Sequence, residues 1–597
     1  MRRVKFIFSI FLIVWIVLLI RIYQLSVKSN SYYEALAKQN IIKKEIILPI
    51  RGEILDTNEK PLAINKIGFK ILIEPHLSYK NRLHELKETL NFLKESFPDI
   101  NVTKLIRRYK RYDSAYRHEP ISVIKFIPYK DVLPHFIKLS RKKYIYIKPT
   151  TKRYYPFKEL TAHIVGYVGR ASKRDMQNDD TVKKIKIAGK SGLEKEYNSF
   201  LQGVLGEKLI KVSAFNKELE VLKVKNPIEN RDLKLYLDIE LQKYIANMFK
   251  DKAGAVIVMR VDGAILAAGS FPSFDPNIFV GGISRTKWKE LIEDLNHPFT
   301  NKLIHGLYPP GSTIKPGVAE AFFDSRRISS FAKFYCKGYI KLGEHKFRCW
   351  KDTGHGYADS IKAIRESCDV YFYKGSLLVG INKISEVLKK MGFGKKTGID
   401  LPNEFIGIMP DKRWKEQKYG VPWYVGETLN SSIGQGYVLV TPMQIARYTA
   451  LLATGKLPTP RVVHFKKDEI VPLENKDVLT SIQKLLLDKV RKSMYEVCNH
   501  PKGTATNYIR GIKVKIAGKT GTAQVIGIPQ EEKKRMKEHE LAYFHRSHAW
   551  LTTYGPYKDP QYVVTVLVEH GGHGGAATGE IVKNIYNWLV DHKYINR

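Results

Sequence analysis

The longest stretch without polar relief lies at the amino terminus. Phe6 to Ile20 reads FIFSIFLIVWIVLLI with no charge, and after Arg21 the apolar character continues through Ile22, Tyr23 and Leu25. About 20 such residues suffice to cross a bilayer as a helix. Arg21 can extend its head to the interface, where Trp15 and Tyr23 are also tolerated. The pattern predicts a tail over 1–5 and a single-pass signal-anchor helix over 6–25. Arg2, Arg3 and Lys5 before the span predict a cytoplasmic start and a body on the outer side of the inner (cytoplasmic) membrane. The rivals are a cleaved signal, for which Val27-Lys28-Ser29 is a poor site, and a buried core helix. No second span follows, so the body is expected in the periplasm.

Beyond the span the periodicity changes repeatedly. Residues 30–50 suggest a helix leading into an extended segment, followed by a turn-rich stretch over 51–58. LHELKETLNFLKESF (83–97) places apolar residues at helical spacing. Residues 205–235 alternate apolar and charged positions, as in a strand pair, with a turn at Asn226-Pro227 and Asn230. LKLYLDIELQKYIANMF (233–249) passes from strand to helix. AGAVIVMRVDGAILAAGS (253–270) reads as a β-hairpin turning at Asp262-Gly263. A boundary near 230 separates a first body over 26–230 from a second over 231–597. There is no internal repeat and no low-complexity segment.

Composition narrows the partners. The 597 residues carry 100 lysines and arginines against 59 acidic residues, a formal charge of +41. That balance favours an anionic partner, but a body outside the membrane argues against nucleic acid. Basic runs at 107–111 and 141–143 are either a solvated face or a surface for lipid or a partner. Four cysteines exclude a disulfide scaffold.

The sharpest local chemistry is Tyr308-Pro309-Pro310-Gly311-Ser312-Thr313-Ile314-Lys315-Pro316. Two prolines and a glycine stiffen a loop, and Pro316 is tolerated only in a first helical turn. Ser312 therefore sits at a helix start with Lys315 one turn on. The helix dipole favours negative charge on the serine oxygen and disfavours a protonated lysine nearby. A lysine of lowered pKa can take the serine proton. Ser-x-x-Lys recurs at Ser122/Lys125, Ser284/Lys287, Ser330/Lys333 and Ser481/Lys484, which are read as chance. Two further elements follow Ser312 in order, Ser367-Cys368-Asp369 and Lys519-Thr520-Gly521-Thr522. Lys190-Ser191-Gly192 precedes the nucleophile and fails on order.

This ordered set resembles the penicillin-recognising serine transferases and β-lactamases. The flanking words narrow the resemblance to the class B penicillin-binding proteins, and within them to the elongation-specific peptidoglycan D,D-transpeptidases. RGEILDTNEKPLA (51–63), RYYPFKELTAHIVGYVG (153–169) and GKSGLEKEYNSFLQGVLG (189–206) are similar to the class's non-catalytic pedestal motifs. SFPSFDPNIFVGGIS (270–284), VPWYVGETLN (421–430) and SIGQGYVLVTPMQIA (432–446) are similar to motifs of its catalytic half. Two departures stand out. Asp369 occupies a position where most of the superfamily has asparagine, and an ionised aspartate only accepts hydrogen bonds. Thr57-Asn58-Glu59 replaces the usual Arg-Asn-Gly.

The resemblance implies an α/β (α+β) penicillin-recognising serine transpeptidase fold, a central antiparallel sheet with helices, preceded by an extended mixed α+β pedestal. It implies acyl transfer with Ser312 as nucleophile on a D-Ala-D-Ala carbonyl and Lys315 as base. Ser367 would relay a proton to the leaving amine, held by Lys315 and Lys519. Backbone amides of Ser312 and Thr522 would form the oxyanion hole. Lys519 and Thr520 would bind the terminal carboxylate, with Asp369, Gly521 and Thr522 also lining the substrate. β-Lactams would acylate Ser312 and stay. Implied partners are peptidoglycan stem peptides, a polytopic glycosyltransferase of the shape, elongation and division family, a periplasmic rod-shape scaffold and membrane lipid, with no nucleic acid. Catalysis needs no cofactor. A D,D-carboxypeptidase or β-lactamase-like hydrolase with the same triad, or a non-enzymatic scaffold activating a glycosyltransferase, is the alternative.

Cys336, Cys349, His355 and Cys368 follow the pattern Cys-x12-Cys-x5-His-x12-Cys. Cys3His is a closed tetrahedral zinc set. The resemblance implies a structural zinc, and the spacing permits it. A Cys336–Cys349 disulfide with Cys368 as a buried thiol, or three unlinked thiols, are the alternatives. Cys498 reads as core.

Overall fold

The apolar run at the amino terminus forms a helix over Arg2–Tyr23, continued by a wider turn through Lys28, and none of its side chains is buried. It is long and apolar enough to cross a membrane. The computed structural model describes residues 2–28, 41–79, 81–116, 118–213, 218–229, 231–526 and 538–596. The helix expected near residue 30 lies outside them.

The chain forms two compact units, each discontinuous in sequence. The first comprises residues up to 51, 65–152 and 202–230; the second comprises 52–64, 153–201 and 231–597. In the first, Ile42–Ile47, Gly206–Val212 and Glu218–Lys225 make a three-stranded antiparallel sheet. The amphipathic pattern at 83–97 becomes the helix Leu83–Ser96, which buries Leu86, Leu90 and Leu93. These pack with Ile71, Tyr109, Ile121 and Val123 in a core of their own.

In the second unit the pattern at 233–249 gives the strand Leu233–Leu235 and the helix Ile239–Met248, with Asp238 capping the helix. The hairpin follows as β1 (Gly254–Arg260) and β2 (Ile265–Phe271). Helices α1 (Lys315–Asp324), α2 (Asp369–Val379), α3 (Pro442–Thr454) and α4 (Ser481–Asn499) come next. The chain then returns to the sheet as β3 (Ala517–Ala523), β4 (His548–Gly555) and β5 (Tyr562–Val568), and closes with α5 (Gly574–Asp591).

The strands form one antiparallel sheet in the order β2-β1-β5-β4-β3. β2 and β5 are buried along their whole length, as strands covered on both faces must be. Adjacent residues of β4 identify the covers, because neighbours on a strand point to opposite faces. Thr552 meets Thr449 of α3 at 2.7 Å, and Thr553 donates to Tyr586 of α5 at 3.3 Å. β3 is left at the sheet edge.

Three words of the first half meet at one buried pair in this unit. Arg153 and Glu194 lie 2.6 Å apart and are both nearly inaccessible. Arg153 also donates to the Gly52 carbonyl at 2.7 Å. A Cβ at Gly52 would stand 2.0 Å from the Arg231 oxygen, so the chain just before the strand Leu233–Leu235 approaches it this closely only with glycine there.

Candidate active site

Ser312 lies in a single 3-10 turn, Gly311–Ile314, that runs straight into α1 at Lys315. Pro316 occupies the first helical turn, where its missing N–H costs nothing. Gly311 has φ +53, and a Cβ there would meet the Thr522 carbonyl oxygen at 2.8 Å. The Gly311 N–H donates to the Gly434 carbonyl at 2.9 Å. The loop carrying Ser312 is thus clamped between the edge strand β3 and the segment Ser432-Ile433-Gly434-Gln435-Gly436. Ser312 is half-buried.

The two lysines converge on Ser367. The Lys315 ammonium donates to the Ser367 carbonyl at 2.9 Å, the Ser367 hydroxyl at 3.2 Å and Asp369 Oδ1 at 2.7 Å. Lys519 Nζ donates to the Ser367 hydroxyl at 3.0 Å and to the Thr520 carbonyl at 2.9 Å. Both lysines are fully buried. Burial, together with the Lys315 charge, holds the Lys519 ammonium well below the usual lysine range. The Ser367 oxygen accepts from both lysines, so its own proton is free to be donated onward. Ser367 itself has φ +55, a left-handed conformation that costs a non-glycine residue about 1 kcal/mol or more. That turn aims its hydroxyl between the lysines and leaves Cys368 to cap α2.

Asp369 faces inward. Its Oδ1 meets Lys315, and its Oδ2 accepts from the Trp350 N–H at 2.9 Å. Burial pushes its carboxyl above the ordinary value while Lys315 pulls it back. On β3, the Thr520 hydroxyl meets that of Thr504 at 2.6 Å, and Thr522 Oγ1 accepts from the Gly574 N–H at 3.2 Å. Gly521 runs beside Thr313 and the Pro310 carbonyl, 2.8 and 3.0 Å from where a Cβ would sit. Ser312, Lys315, Ser367, Asp369 and Lys519–Thr522 therefore gather at one cleft. Thr504, Trp350 and Gln435, which donates to the Thr522 carbonyl at 3.3 Å, belong with them. Gln435 lies in the segment 432–446 already singled out by resemblance, but nothing in the local sequence marked Thr504 or Trp350, since their roles depend on contacts between distant segments.

Known proteins match this architecture. Residues 253–587 match the penicillin binding protein transpeptidase domain, and residues 46–235 match the penicillin-binding protein dimerisation domain. The chain belongs to the penicillin-binding protein transpeptidase family. It is 32% identical over 588 residues to the peptidoglycan D,D-transpeptidase MrdA of Escherichia coli K12, covering 96% of this chain and 92% of that one. A solved complex between penicillin-binding protein 2 (PBP2) and MreC from Helicobacter pylori superposes with TM-score 0.85 at 44% identity, over 93% of this chain and 99% of that one. A structure described as coordinating polymerization and crosslinking in a peptidoglycan synthase complex matches with TM-score 0.70 at 26% identity, over 98% and 97% of the two chains. This penicillin-binding protein is accordingly a D,D-transpeptidase of peptidoglycan synthesis, with the transpeptidase fold expected from its motifs.

Beside Ser367 the same penicillin-binding protein gathers its cysteines. Cys336 ends a short strand, Cys349 follows the strand His345–Arg348, His355 precedes Gly356–Ala358, and Cys368 caps α2. One ligand atom from each lies within 4.8 Å of the others, and all four residues are buried. All three cysteines are free thiols, so the Cys336–Cys349 disulfide is not formed. His355 Nδ1 faces the sulfurs of Cys336 and Cys349 at 3.6 and 3.5 Å. The Cys336 thiol is held far below its ordinary value by hydrogen bonds from Cys349 and Cys368, while Cys368 is pushed up by its bonds with Cys336 and Cys349. The donor set and its crowding fit a closed tetrahedral metal. The cluster also touches the motif directly, because the Asp369 N–H points at Cys349 Sγ, 3.4 Å away. Cys498 is buried in α4, apart from this group.

Proposed function

We propose that Ser312 is the acylated nucleophile of this transpeptidase and that Lys315, Ser367 and Lys519 move its protons. The observation that carries the reading is the Ser367 hydroxyl, bonded both to Lys315, one turn on from Ser312, and to Lys519 of β3. The Ser312 oxygen attacks the carbonyl between the two terminal D-alanines of a donor stem peptide. Lys315, acting as the neutral amine, takes the serine proton; Ser367 gives its own hydroxyl proton to the departing D-alanine amine and is reprotonated by Lys315, which returns to the amine. The amides of Ser312 and Thr522 cradle the oxyanion. Lys519, Thr520, Gly521 and Thr522 hold the substrate along the open edge of β3, where a peptide can add as a further strand. Asp369 acts on the substrate through Lys315, since both its oxygens are engaged inside the protein. An amine from a neighbouring strand resolves the acyl-enzyme, and a β-lactam leaves an ester with no such acceptor.

The wider reading follows the same relatives. The N-terminal helix serves as an inner-membrane anchor with the rest of the chain in the periplasm. Residues 26–230 form the pedestal and residues 231–597 the transpeptidase domain. The enzyme works in cell elongation with a periplasmic scaffold akin to MreC and with a glycosyltransferase that polymerises the strands. Cys336, Cys349, His355 and Cys368 hold a structural zinc, which when bound supplies a four-coordinate link between the loop carrying Trp350 and the start of α2. The deciding experiment is labelling of membranes with a fluorescent penicillin. Wild type is expected to give a stable band that Ser312→Ala abolishes; a band surviving in the variant would sink the assignment.

A further inference from the structure

An aromatic group outside the proton-transfer machinery lies within a few residues of the nucleophile clamp. Trp414 and Tyr419 sit on the helix Lys412–Tyr419, which Asp411 caps and Gly420 ends in a left-handed turn. Tyr437 lies three residues beyond Gly434, the residue that holds Gly311. Its ring centre is 5.4 Å from that of Trp414 and 5.6 Å from that of Tyr419. Trp423 completes the group at 6.3 Å from Tyr437. Tyr419 is 48% exposed, so the group opens to solvent where a core cluster would be closed. The helix beneath it carries four basic side chains and one acidic one. Lys415 is neutralised by Glu427 at 2.5 Å, but Lys412, Arg413 and Lys418 are exposed. The Lys418 ammonium lies 5.2 Å above the Trp414 ring.

We propose that Trp414, Tyr419 and Tyr437 form a subsite for the sugar strand of the donor substrate, a carbohydrate platform beside the peptide cleft. The inference rests on the transpeptidase reading, because that reading places the peptide terminus at Ser312. A stem peptide of about five residues, extended, separates its terminal carbonyl from the sugar by roughly 15 Å. Tyr437 is three residues from the clamp, at most about 10 Å of chain, and Trp414 and Tyr419 extend the surface outward from it. The spans match. Pyranose rings offer flat C–H faces that lie on aromatic rings and shed water there. Exposed Arg413 and Lys418 at the rim complement the carboxylates that a stem peptide carries. Lys415 and Glu427 fix the support beneath: the Lys415 ammonium lies 4.2 Å over the Tyr424 ring, and Glu427 caps the helix Val425–Ser432.

The test uses the full-length protein in detergent and soluble glycan strands stripped of their peptides by an amidase and end-labelled with a fluorophore, followed by the anisotropy of the labelled strands. Wild type is expected to bind the stripped strands, and Trp414→Ala with Tyr419→Ala to weaken that binding at least tenfold. Trp414→Phe with Tyr419→Phe, which keeps the rings, restores most of it, and equal thermal midpoints for the two double variants separate the effect from misfolding. Ser312→Ala is expected to bind stripped strands as wild type does while losing penicillin labelling, so failure of the nucleophile assignment and failure of the platform are read separately. Wild type that does not bind stripped strands, or an alanine variant that binds them as tightly as wild type, overturns the proposal and leaves the face to a protein partner.

Discussion

The two walls that meet at Ser367 are held by different physics. Lys519 to Thr522 lie in β3, fixed by an unbroken antiparallel register with β4 from Ala517 opposite Tyr554 to Ala523 opposite His548. Ser367 and Asp369 have no such ladder. Their backbone turns through a left-handed residue, and single bonds hold it: Cys368 N–H to the Ala363 carbonyl, Trp350 N–H to Asp369, and Asp369 N–H to the Cys349 sulfur. One wall is positioned by repetition, so losing one bond leaves its neighbours in place. The other is positioned by a few side chains and a sulfur cluster, so each contact carries more. A structural metal belongs where the backbone has no ladder of its own.

The largest expected effect is chemical and falls on the strand wall. Lys519→Ala removes a donor to the Ser367 hydroxyl. We expect penicillin acylation to fall by about 10³-fold, as when one member of a catalytic unit is deleted. The ladder should survive, and the thermal midpoint should not drop, because a desolvated ammonium repelled by Lys315 has been removed. Acylation within tenfold of wild type would refute the role of Lys519.

Next in size is the helix wall. Cys349→Ser, or treatment of the purified protein with a strong chelator, is expected to release about one zinc per chain and to destabilise the protein by about 3 kcal/mol. Hydrogen exchange sharpens the contrast between the walls. Amides of residues 360–379 should lose protection while those of β3 and β4 keep theirs. A protein purified without metal, or equal loss of protection in both walls, would remove the basis of the comparison.

What the sequence made legible divides along the same line. The hairpin β1–β2, the helix over 83–96 and the Ser312–Lys315 turn follow from local periodicity and turn chemistry, and their places in the structure agree. The five-stranded order is not local: β3, β4 and β5 begin roughly 260 to 310 residues after β1, and the resemblance implied a central antiparallel sheet without its strand order. The Cys/His set was visible as a spacing, while the choice between linked and unlinked sulfurs needed their positions in space. The inward aim of Asp369 was hidden, because its partners Lys315 and Trp350 approach from separate segments. Thr504 was hidden likewise, since a threonine in a short loop carries no pattern until Thr520 is opposite it.

A pH-dependent effect comes from the helix that carries Lys315. Glu320 of α1 is fully buried, neither carboxyl oxygen has a hydrogen-bond partner among the described residues, and burial raises its carboxyl to about 8. The native state therefore holds a proton that the unfolded chain releases near its ordinary value of 4.5. The stability tied to that proton is full below about 4.5, falls at up to about 1.4 kcal/mol per pH unit across the window, and is gone above about 8. Glu320→Gln should remove this dependence, so its thermal midpoint relative to wild type should rise steadily between pH 5 and pH 8. A flat difference would mean that Glu320 is ionised in place. Zinc removal at a fixed pH should leave the Glu320 dependence intact, which separates the two effects.

The smallest effect tests how the loop carrying Ser312 is fastened to the strand side. The Tyr308 hydroxyl donates to Glu569 Oε1 at 2.5 Å, and Glu569 Oε2 pairs with the buried Lys302 at 2.8 Å. Glu569 follows β5 directly, and Trp550 of β4 donates from its indole to the Pro309 carbonyl at 3.2 Å. Main-chain bonds reinforce these links, since Tyr308 and Val440 exchange N–H and carbonyl at 3.0 and 2.9 Å. If repetition is what makes this side robust, removing one side-chain link should matter little. In Tyr308→Phe, Glu569 keeps Lys302 as its partner, so no charge is left bare. We expect a loss of about 1 kcal/mol, the net worth of one hydrogen bond, and penicillin acylation within about threefold of wild type. A loss near 3 kcal/mol, or a tenfold slower acylation, would show that the loop depends on this one hydroxyl as the opposite wall depends on its sulfurs.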